Sequence, residues 1–345
     1  MKKIIYVPLE NLEQRYTKMM NEAVSKHVDM VLYPDMPEQT VIKNGQFLDI
    51  TGTCIFKSMQ LKMIAELFDT EQVNDGDVFL IADIFFPGIE MIRYMAELLN
   101  IRVYIYGFNY AGRADKTDFV QRLGNWADHS ERGYHELCDG IFVGSEIHRT
   151  NVLNKFGYYV HSKTYNTGYV WSVDFVNNVL NSEPSTLKEN YIIWPHRICD
   201  EKGINNLLQF AQNTDMKILI TSSGKEECLI ELPANVKFEG GLTKKQYYER
   251  LASAKYYLSN AYQETFGYTL QEAMVYGCEI LVPDRACYPE MVPAKNLYKN
   301  VSEIEGKFKA GGLIVDEPEY FLKYDNNINK IMEIIYENSG CRKSD

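Results

Sequence analysis

The chain contains no apolar run approaching the roughly 20 residues that a membrane span requires. Its first apolar stretch, Ile4–Val7, is too short for the core of a secretory leader. These absences lead us to expect a protein of the cytoplasm with no membrane span. No C-x-x-C pair occurs. The 7 cysteines, Cys54, Cys138, Cys199, Cys228, Cys278, Cys287 and Cys341, are scattered and odd in number, which argues for reduced thiols and no structural metal. Positive charge is not in excess either. A net charge of −11 opposes broad, non-specific adhesion to nucleic acid. It leaves room for a local basic surface, for which Arg102, Arg113, Lys116, Arg122, Arg132, Arg149, Lys155 and Lys163 are candidates. Internal repeats and low-complexity tracts are absent.

What is present is an alternation. At 345 residues the chain is long for one core and comfortable for two domains. Strand-like runs fall at Ile4–Val7, Met30–Tyr33, Val78–Ala82, Val103–Tyr106, Gly140–Val143 and Tyr158–Val160. Helical patterns lie between them at Tyr16–His27, Phe56–Phe68, Gly88–Leu99 and Ser130–Leu137. Strands alternating with helices at this spacing predict a parallel sheet covered on both faces. Residues 177–190 are polar, carry Pro184 and lack periodicity, so they read as a linker. The pattern restarts at Ile192–Trp194, Ile218–Thr221, Val236–Glu239, Tyr256–Ser259, Ile280–Val282 and Leu313–Val315, and an amphipathic helix spans Tyr320–Tyr336. The expected architecture is α/β, with two doubly wound Rossmann-like domains facing across a cleft. They cover residues 1–176 and 191–319, and residues 320–345 form a final helix and tail.

Two segments carry chemistry. In the first, Glu264-Thr-Phe-Gly-Tyr-Thr-Leu-Gln-Glu272, a loop at Phe266, Gly267 and Tyr268 opens a helix over Thr269–Tyr276. A helix N-terminus presents unpaired N–H groups and the positive end of its dipole, which suits phosphate. Glu264 and Glu272 bracket that loop and could reach hydroxyls on either side. Thr269-Leu-Gln-Glu272 also fits a capping box, in which Glu272 would touch no ligand. In the second, Trp194-Pro-His196-Arg197-Ile-Cys-Asp-Glu-Lys202-Gly203, Pro195 breaks a buried strand and Asp200 is a plausible N-cap. Arg197 and Lys202 then sit in a strand-to-helix turn at the carboxyl edge of a sheet, where ligands of open α/β sheets bind. Arg offers a planar fork and Lys a point charge, although most such residues are merely surface cations. Gly224 and Gly240-Gly241 follow strands and either shape a nucleotide pocket or serve as plain turns.

In this order the two segments resemble the signature of retaining, nucleotide-sugar-dependent glycosyltransferases of GT-B fold, in the large family-four group. The resemblance covers roughly residues 185–295. It implies that Arg197 and Lys202 hold the donor diphosphate. It also implies that the backbone of Phe266, Gly267 and Tyr268 contacts phosphate, that Glu264 meets the donor sugar and that Glu272 takes the ribose hydroxyls. His196 is placed to touch the donor or to fix the loop. The first strand departs from the family pattern, because Pro8-Leu-Glu-Asn-Leu-Glu-Gln-Arg-Tyr16 follows it without a glycine. The segment from Gly112 to His129, with the Trp-Pro-His-Arg spelling, resembles glycosyltransferases acting on nucleic acid, such as phage DNA-glycosylating enzymes and queuosine-tRNA mannosyltransferases. Asp115 and His129 flank that segment and are candidates to orient or deprotonate an acceptor hydroxyl.

The resemblance implies a transferase using a UDP-sugar by default, with neither cofactor nor metal. The leaving phosphate itself would take the acceptor proton. The expected acceptor is a 5-hydroxymethylcytosine-type base in double-stranded phage DNA. Alternatives are a polysaccharide, a lipid-linked glycan or a tRNA base. A lipid acceptor calls for a basic amphipathic helix, and Tyr16–His27 mixes Lys18 and Lys26 with Glu22. A non-catalytic nucleotide-sugar-binding protein on the same fold is the alternative from another class.

Overall fold

The computed structural model describes residues 2–12, 16–36, 53–180, 188–222 and 230–341. The first sheet is built from β1 (Ile4–Val7), β2 (Met30–Val31), β3 (Val78–Ile81), β4 (Tyr104–Phe108), β5 (Gly140–Val143) and β6 (Thr164–Asn166). Its order is β2-β1-β3-β4-β5-β6, and every pair is parallel. The second is built from β7 (Glu189–Trp194), β8 (Lys217–Ser222), β9 (Val236–Gly240), β10 (Ala254–Leu258), β11 (Glu279–Pro283) and β12 (Leu297–Tyr298). Its order is β12-β11-β10-β7-β8-β9, again parallel.

Parallel neighbours need crossover connections, and helices supply them. In the first half these are α1 (Thr17–Val24), α2 (Ile55–Asp69), α3 (Ile89–Leu98), α4 (Trp126–Leu137), α5 (Glu146–Phe156) and α6 (Val173–Leu180). The second half has α7 (Ile204–Ala211), α8 (Lys244–Ser253), α9 (Tyr268–Val275), α10 (Ile304–Ala310), α11 (Pro318–Phe321) and α12 (Ile328–Ser339). Strands covered on both faces are apolar throughout, and β1, β3 and β5 are buried at every position. Among the described residues no helix is long and apolar enough to cross a membrane.

One apolar cluster runs from Tyr6, Leu80 and Tyr106 of the first sheet through Trp171 to Tyr257 and Ile280 of the second, and on to Ile331 and Ile335 of α12. The two sheets therefore share packing. α12 returns to the first half: Lys2 Nζ donates to Ser339 O at 2.8 Å, and Asn327 Nδ2 donates to Thr167 O and Tyr169 O at 3.1 and 2.7 Å.

Several expected elements differ. Residues 158–163 form a 3-10 turn rather than a strand, and β6 begins only at Thr164. A short apolar run does not by itself distinguish the two, and the turn still buries Val160 completely. Leu313–Val315 forms no strand. It lies beside β11, and Leu313 O accepts from Ile280 N at 2.9 Å. The C-terminal helix is broken into α11 and α12. Of the expected linker, residues 177–180 belong to α6, Glu189 and Asn190 begin β7, and 181–187 lie outside the described residues.

Candidate functional site

In an open parallel sheet, adjacent strands whose connections leave in opposite directions open a crevice at their carboxyl ends. In the second sheet that point lies between β7 and β10. In the first it lies between β1 and β3. Both crevices face one cleft of about 1230 Å³, lined by residues of both halves. Tyr16, Asp83, Phe85 and the segment from Tyr110 to Arg122 contribute from the first half. The loop after β7, the end of β8, the start of α8 and residues 263–272 contribute from the second.

The loops after β7 and β10 are tied together. Gly203 has φ +74°, a left-handed conformation that L side chains rarely adopt, and a Cβ there would lie 2.3 Å from Asn260 O. Glycine is what allows the two loops to touch. Tyr262 N donates to Glu201 O at 2.9 Å, and Trp194 Nε1 donates to Asn260 Oδ1 at 3.1 Å. Asp200 is not the N-cap of α7. It opens a 3-10 turn over Asp200–Lys202, and Gly203 precedes the helix.

This clasp brings Lys202 onto Glu264. Lys202 Nζ lies 3.1 Å from Glu264 Oε2 and 3.1 Å from Glu201 Oε1, and it donates to Gln263 O at 3.2 Å. Burial lowers the Lys202 pKa, but the Glu264 and Glu201 carboxylates outweigh it, and the ammonium is held above its ordinary range. Burial likewise raises the Glu264 carboxyl. The Lys202 charge overcomes that and leaves it below the usual range. Glu264 Oε1 also accepts from Thr265 N and Gly267 N at 3.2 and 3.3 Å, so the loop N–H of Gly267 serves Glu264 in this state. Arg197 is more exposed and lies 3.5 Å from Glu201 Oε2. Burial, and then the Lys202 cation, push His196 down to about 3, so its ring is neutral. Its Nε2 has no partner among the described residues.

α9 begins at Tyr268 after Gly267, whose φ of +74° suits glycine. The capping box does not form: Thr269 lies inside the helix, and its hydroxyl pairs with Tyr257 OH at 2.9 Å. Glu272 instead accepts from Lys244 Nζ at 2.5 Å and Tyr248 OH at 2.8 Å on Oε1, and from Tyr247 OH at 2.8 Å on Oε2. The three donors come from α8, which starts at its own capping box between Thr243 and Gln246. Thr243-Lys-Lys-Gln246 is legible as a helix start in the sequence. Nothing there says that Lys244, Tyr247 and Tyr248 would turn toward Glu272. Phe266 is buried against Tyr169, Tyr268 and Tyr324, and neither it nor Gly267 lines the cleft. Gly224 lies outside the described residues. Gly240 ends β9, and Gly241 N donates to Ser222 O at 3.1 Å.

The opposite wall is of another kind. Tyr16 stacks on Tyr268 across the halves, with centroids 4.6 Å apart. Thr265 Oγ1 donates to Tyr110 O at 3.0 Å. Asp115 lines the cleft, with Oδ1 accepting from Thr117 N and Thr117 Oγ1 at 2.8 Å each, and burial raises its pKa. Asp118 caps the 3-10 turn Phe119–Arg122, and burial pushes it up to about 6. His129 sits exposed on α4 and does not line the cleft. Of the eight cations considered for a basic surface, only Arg122 lines the cleft. Arg113 and Lys155 are drawn to Asp128, Arg149 to Glu146, and Lys163 to the carbonyls of Glu136 and Cys138.

This geometry agrees with what the chain is similar to. Residues 177–303 match the family model described as Glycosyl transferases group 1. Over 129 residues, 34% of this chain, it is 28% identical to the tRNA-queuosine alpha-mannosyltransferase of Drosophila melanogaster, and the match spans about a third (34%) of that relative's length. A lipopolysaccharide outer core galactosyltransferase in its apo form superposes with a TM-score of 0.61 at 13% identity, covering 96% of this chain and 99% of that one. The pneumococcal O-GlcNAc transferase in complex with UDP and GlcNAc gives a TM-score of 0.56 at 14% identity, covering 81% and 60%. The fold is that of GT-B glycosyltransferases. Within it, residues 177–303 match the group 1 glycosyltransferase model.

Proposed function

We propose that the protein is a retaining glycosyltransferase that moves a sugar from a nucleoside-diphosphate sugar to a hydroxyl on a nucleic-acid base. The observation that carries the reading is the convergence of Arg197, Lys202, Glu264 and Glu272 on one cleft at the switch point of the second sheet. A departing diphosphate is the main charge such a reaction develops, and preorganised cations are the means of stabilising it. Lys202 and Arg197 supply them. Both pair with Glu201, and Lys202 also with Glu264. A bound diphosphate exchanges these partners for its own oxygens and releases Glu264 toward the sugar. UDP as the nucleotide is supported by the solved neighbour that carries UDP.

For the acceptor, the queuosine-tRNA relative supports a tRNA base. DNA carrying 5-hydroxymethylcytosine, expected from the sequence, gains nothing from the comparisons. A duplex also needs a basic track, and Arg113, Arg149, Lys155 and Lys163, four of the eight candidate cations, are engaged by carboxylates or backbone carbonyls.

The test is one incubation of the protein with UDP-, GDP- and ADP-sugars, total tRNA and hydroxymethylated DNA, read by mass spectrometry of digested nucleosides and released nucleotide. Sugar mass on a tRNA nucleoside is the expected result. Sugar on hydroxymethylcytosine would move the acceptor to DNA. Absence of nucleotide release from every donor would overturn the enzymatic reading.

A further inference from the structure

We infer that Lys244 is a ribose-recognition residue, which with Glu272 forms a donor–acceptor pair for the vicinal diol of the donor nucleoside. The inference rests on the nucleotide-sugar reading above and deepens it. Glu272 is 4% exposed, and a buried carboxylate needs a paired cation. Lys244 is that cation: its Nζ is 2.5 Å from Oε1, and its side chain is only 12% exposed. The ammonium also lies over the rings of Tyr248 and Tyr247, 4.6 and 5.4 Å from their centroids. Burial, and then the Glu272 charge, hold both phenols well above their ordinary pKa, so they remain donors to the carboxylate.

A carboxylate has about four acceptor sites and an ammonium three donors. Among the described residues Oε1 takes two bonds and Oε2 takes one, from Tyr247. One acceptor position on Oε2 is left, and two Lys244 N–H groups have no hydrogen-bond acceptor among the described residues. Lys244, Tyr247 and Glu272 all line the cleft, whereas Tyr248 supports the carboxylate from behind. Thr221, at the end of β8, lines the cleft with a buried hydroxyl that has no partner among the described residues. A carboxylate with a single remaining acceptor cannot take both hydroxyls of a ribose. One hydroxyl donates to Oε2, and its neighbour's oxygen accepts from Lys244. Each hydroxyl then has its own partner, and removal of either leaves a buried polar group unpaired.

The test is calorimetric titration of the full chain with UDP, GDP and ADP and with their 2′-deoxy and 3′-deoxy forms, in the wild type, K244M and K244Q. Gln keeps a donor for Glu272, so K244Q guards against a folding defect in K244M, and melting curves identify one. For the nucleotide that binds, the ribose form should exceed the weaker deoxy form by about tenfold. Both variants should lower affinity for the ribose form by about tenfold and bring the ribose-to-deoxy ratio close to one for the hydroxyl that Lys244 serves, while the preference for its neighbour, held by Glu272, persists. A wild type without either preference overturns the inference. So does a folded variant that keeps both ratios, or one that weakens ribose and deoxy forms equally, since that is the mark of a merely structural lysine. If the wild type binds none of the three nucleotides, the nucleotide-sugar reading itself falls.

Discussion

The wall of the cleft from the second half pairs charges far apart in the chain, whereas the segment from Tyr110 to Arg122 on the opposite wall carries Asp115 and Asp118 within a few positions of each other. Lys202 meets Glu264 across 62 positions and Lys244 meets Glu272 across 28. Asp115 and Asp118 bond to residues two positions on. Long-range pairs are fixed by the fold and fail together when one member is lost. Local turns satisfy themselves wherever the segment lies. The wall built from long-range pairs is thus committed to particular charges at particular places, as the proposed binding of a diphosphate requires.

The strongest way to break this contrast is K202M. Removing the ammonium leaves Glu264 without its cation and Glu201 with Arg197 alone, and takes away charge stabilisation of the leaving group. Nucleotide release under saturating donor should fall by at least about 100-fold, and thermal stability should fall as well, since a carboxylate loses its partner in a partly buried pair. Turnover within a few-fold of the wild type would mean that this wall does not perform the chemistry.

A second prediction concerns what stands behind the other wall. Glu131 of α4 is fully buried and accepts from Arg113 N at 2.8 Å, and a Cβ on cleft-lining Gly112 would lie 2.4 Å from its Oε1. Burial pushes the Glu131 carboxyl up to about 8. Its folded pKa is raised, so its contribution is fully present below the unfolded value near 4.5 and is lost as pH rises through about 8. Stability should decline across that window by at most about 1.4 kcal/mol per pH unit. E131Q should flatten the decline, as followed by melting temperature from pH 5 to 9. Equal slopes in both proteins would show that Glu131 is not the group titrating there.

The walls meet at a smaller clasp. Glu290, from the 3-10 turn Tyr288–Glu290 after β11, accepts from Glu146 N and Ile147 N at 2.8 Å each and so caps α5 from the second half. E290Q should cost about 1 kcal/mol and speed amide exchange at Glu146 and Ile147. Unchanged exchange there would mean that Glu290 does not hold the start of α5.

The same contrast explains what the sequence makes legible. Alternating apolar runs place most strands to within two residues, because a strand buried on both faces is written as an uninterrupted apolar run. The loop segments with Arg197, Lys202, Glu264 and Glu272 are legible because each sits beside a strand end, and strand ends are where sheets bind ligands. The partners are not legible. Thr269–Glu272 fits a capping box, yet Gly267 starts the helix one residue before Thr269 and α8 captures the carboxylate. The pairing of Lys244 with Glu272 depends on how α8 packs against α9, which no local pattern encodes. The basic residues of the first half mislead for the same reason: their count is visible, but their consumption by Asp128 and by backbone carbonyls is tertiary, whereas the Glu146–Arg149 pair, three residues apart on α5, is local.

The smallest expected effect tests the contrast most directly. In D115N the amide oxygen can accept the two bonds from Thr117 that Asp115 Oδ1 now accepts, so the turn should persist. Nucleotide affinity should stay within about twofold and glycosyl transfer within about tenfold of the wild type. The acceptor proton then leaves with the phosphate, and this wall shapes the acceptor without reacting with it. A loss beyond about 100-fold in transfer, with nucleotide affinity unchanged, would instead assign Asp115 the proton. Burial raises its pKa, so in that case the acid limb of the pH–rate profile would lie above the ordinary carboxylate range and vanish in D115N. The two walls would then share the chemistry, and the locally built one would hold its base.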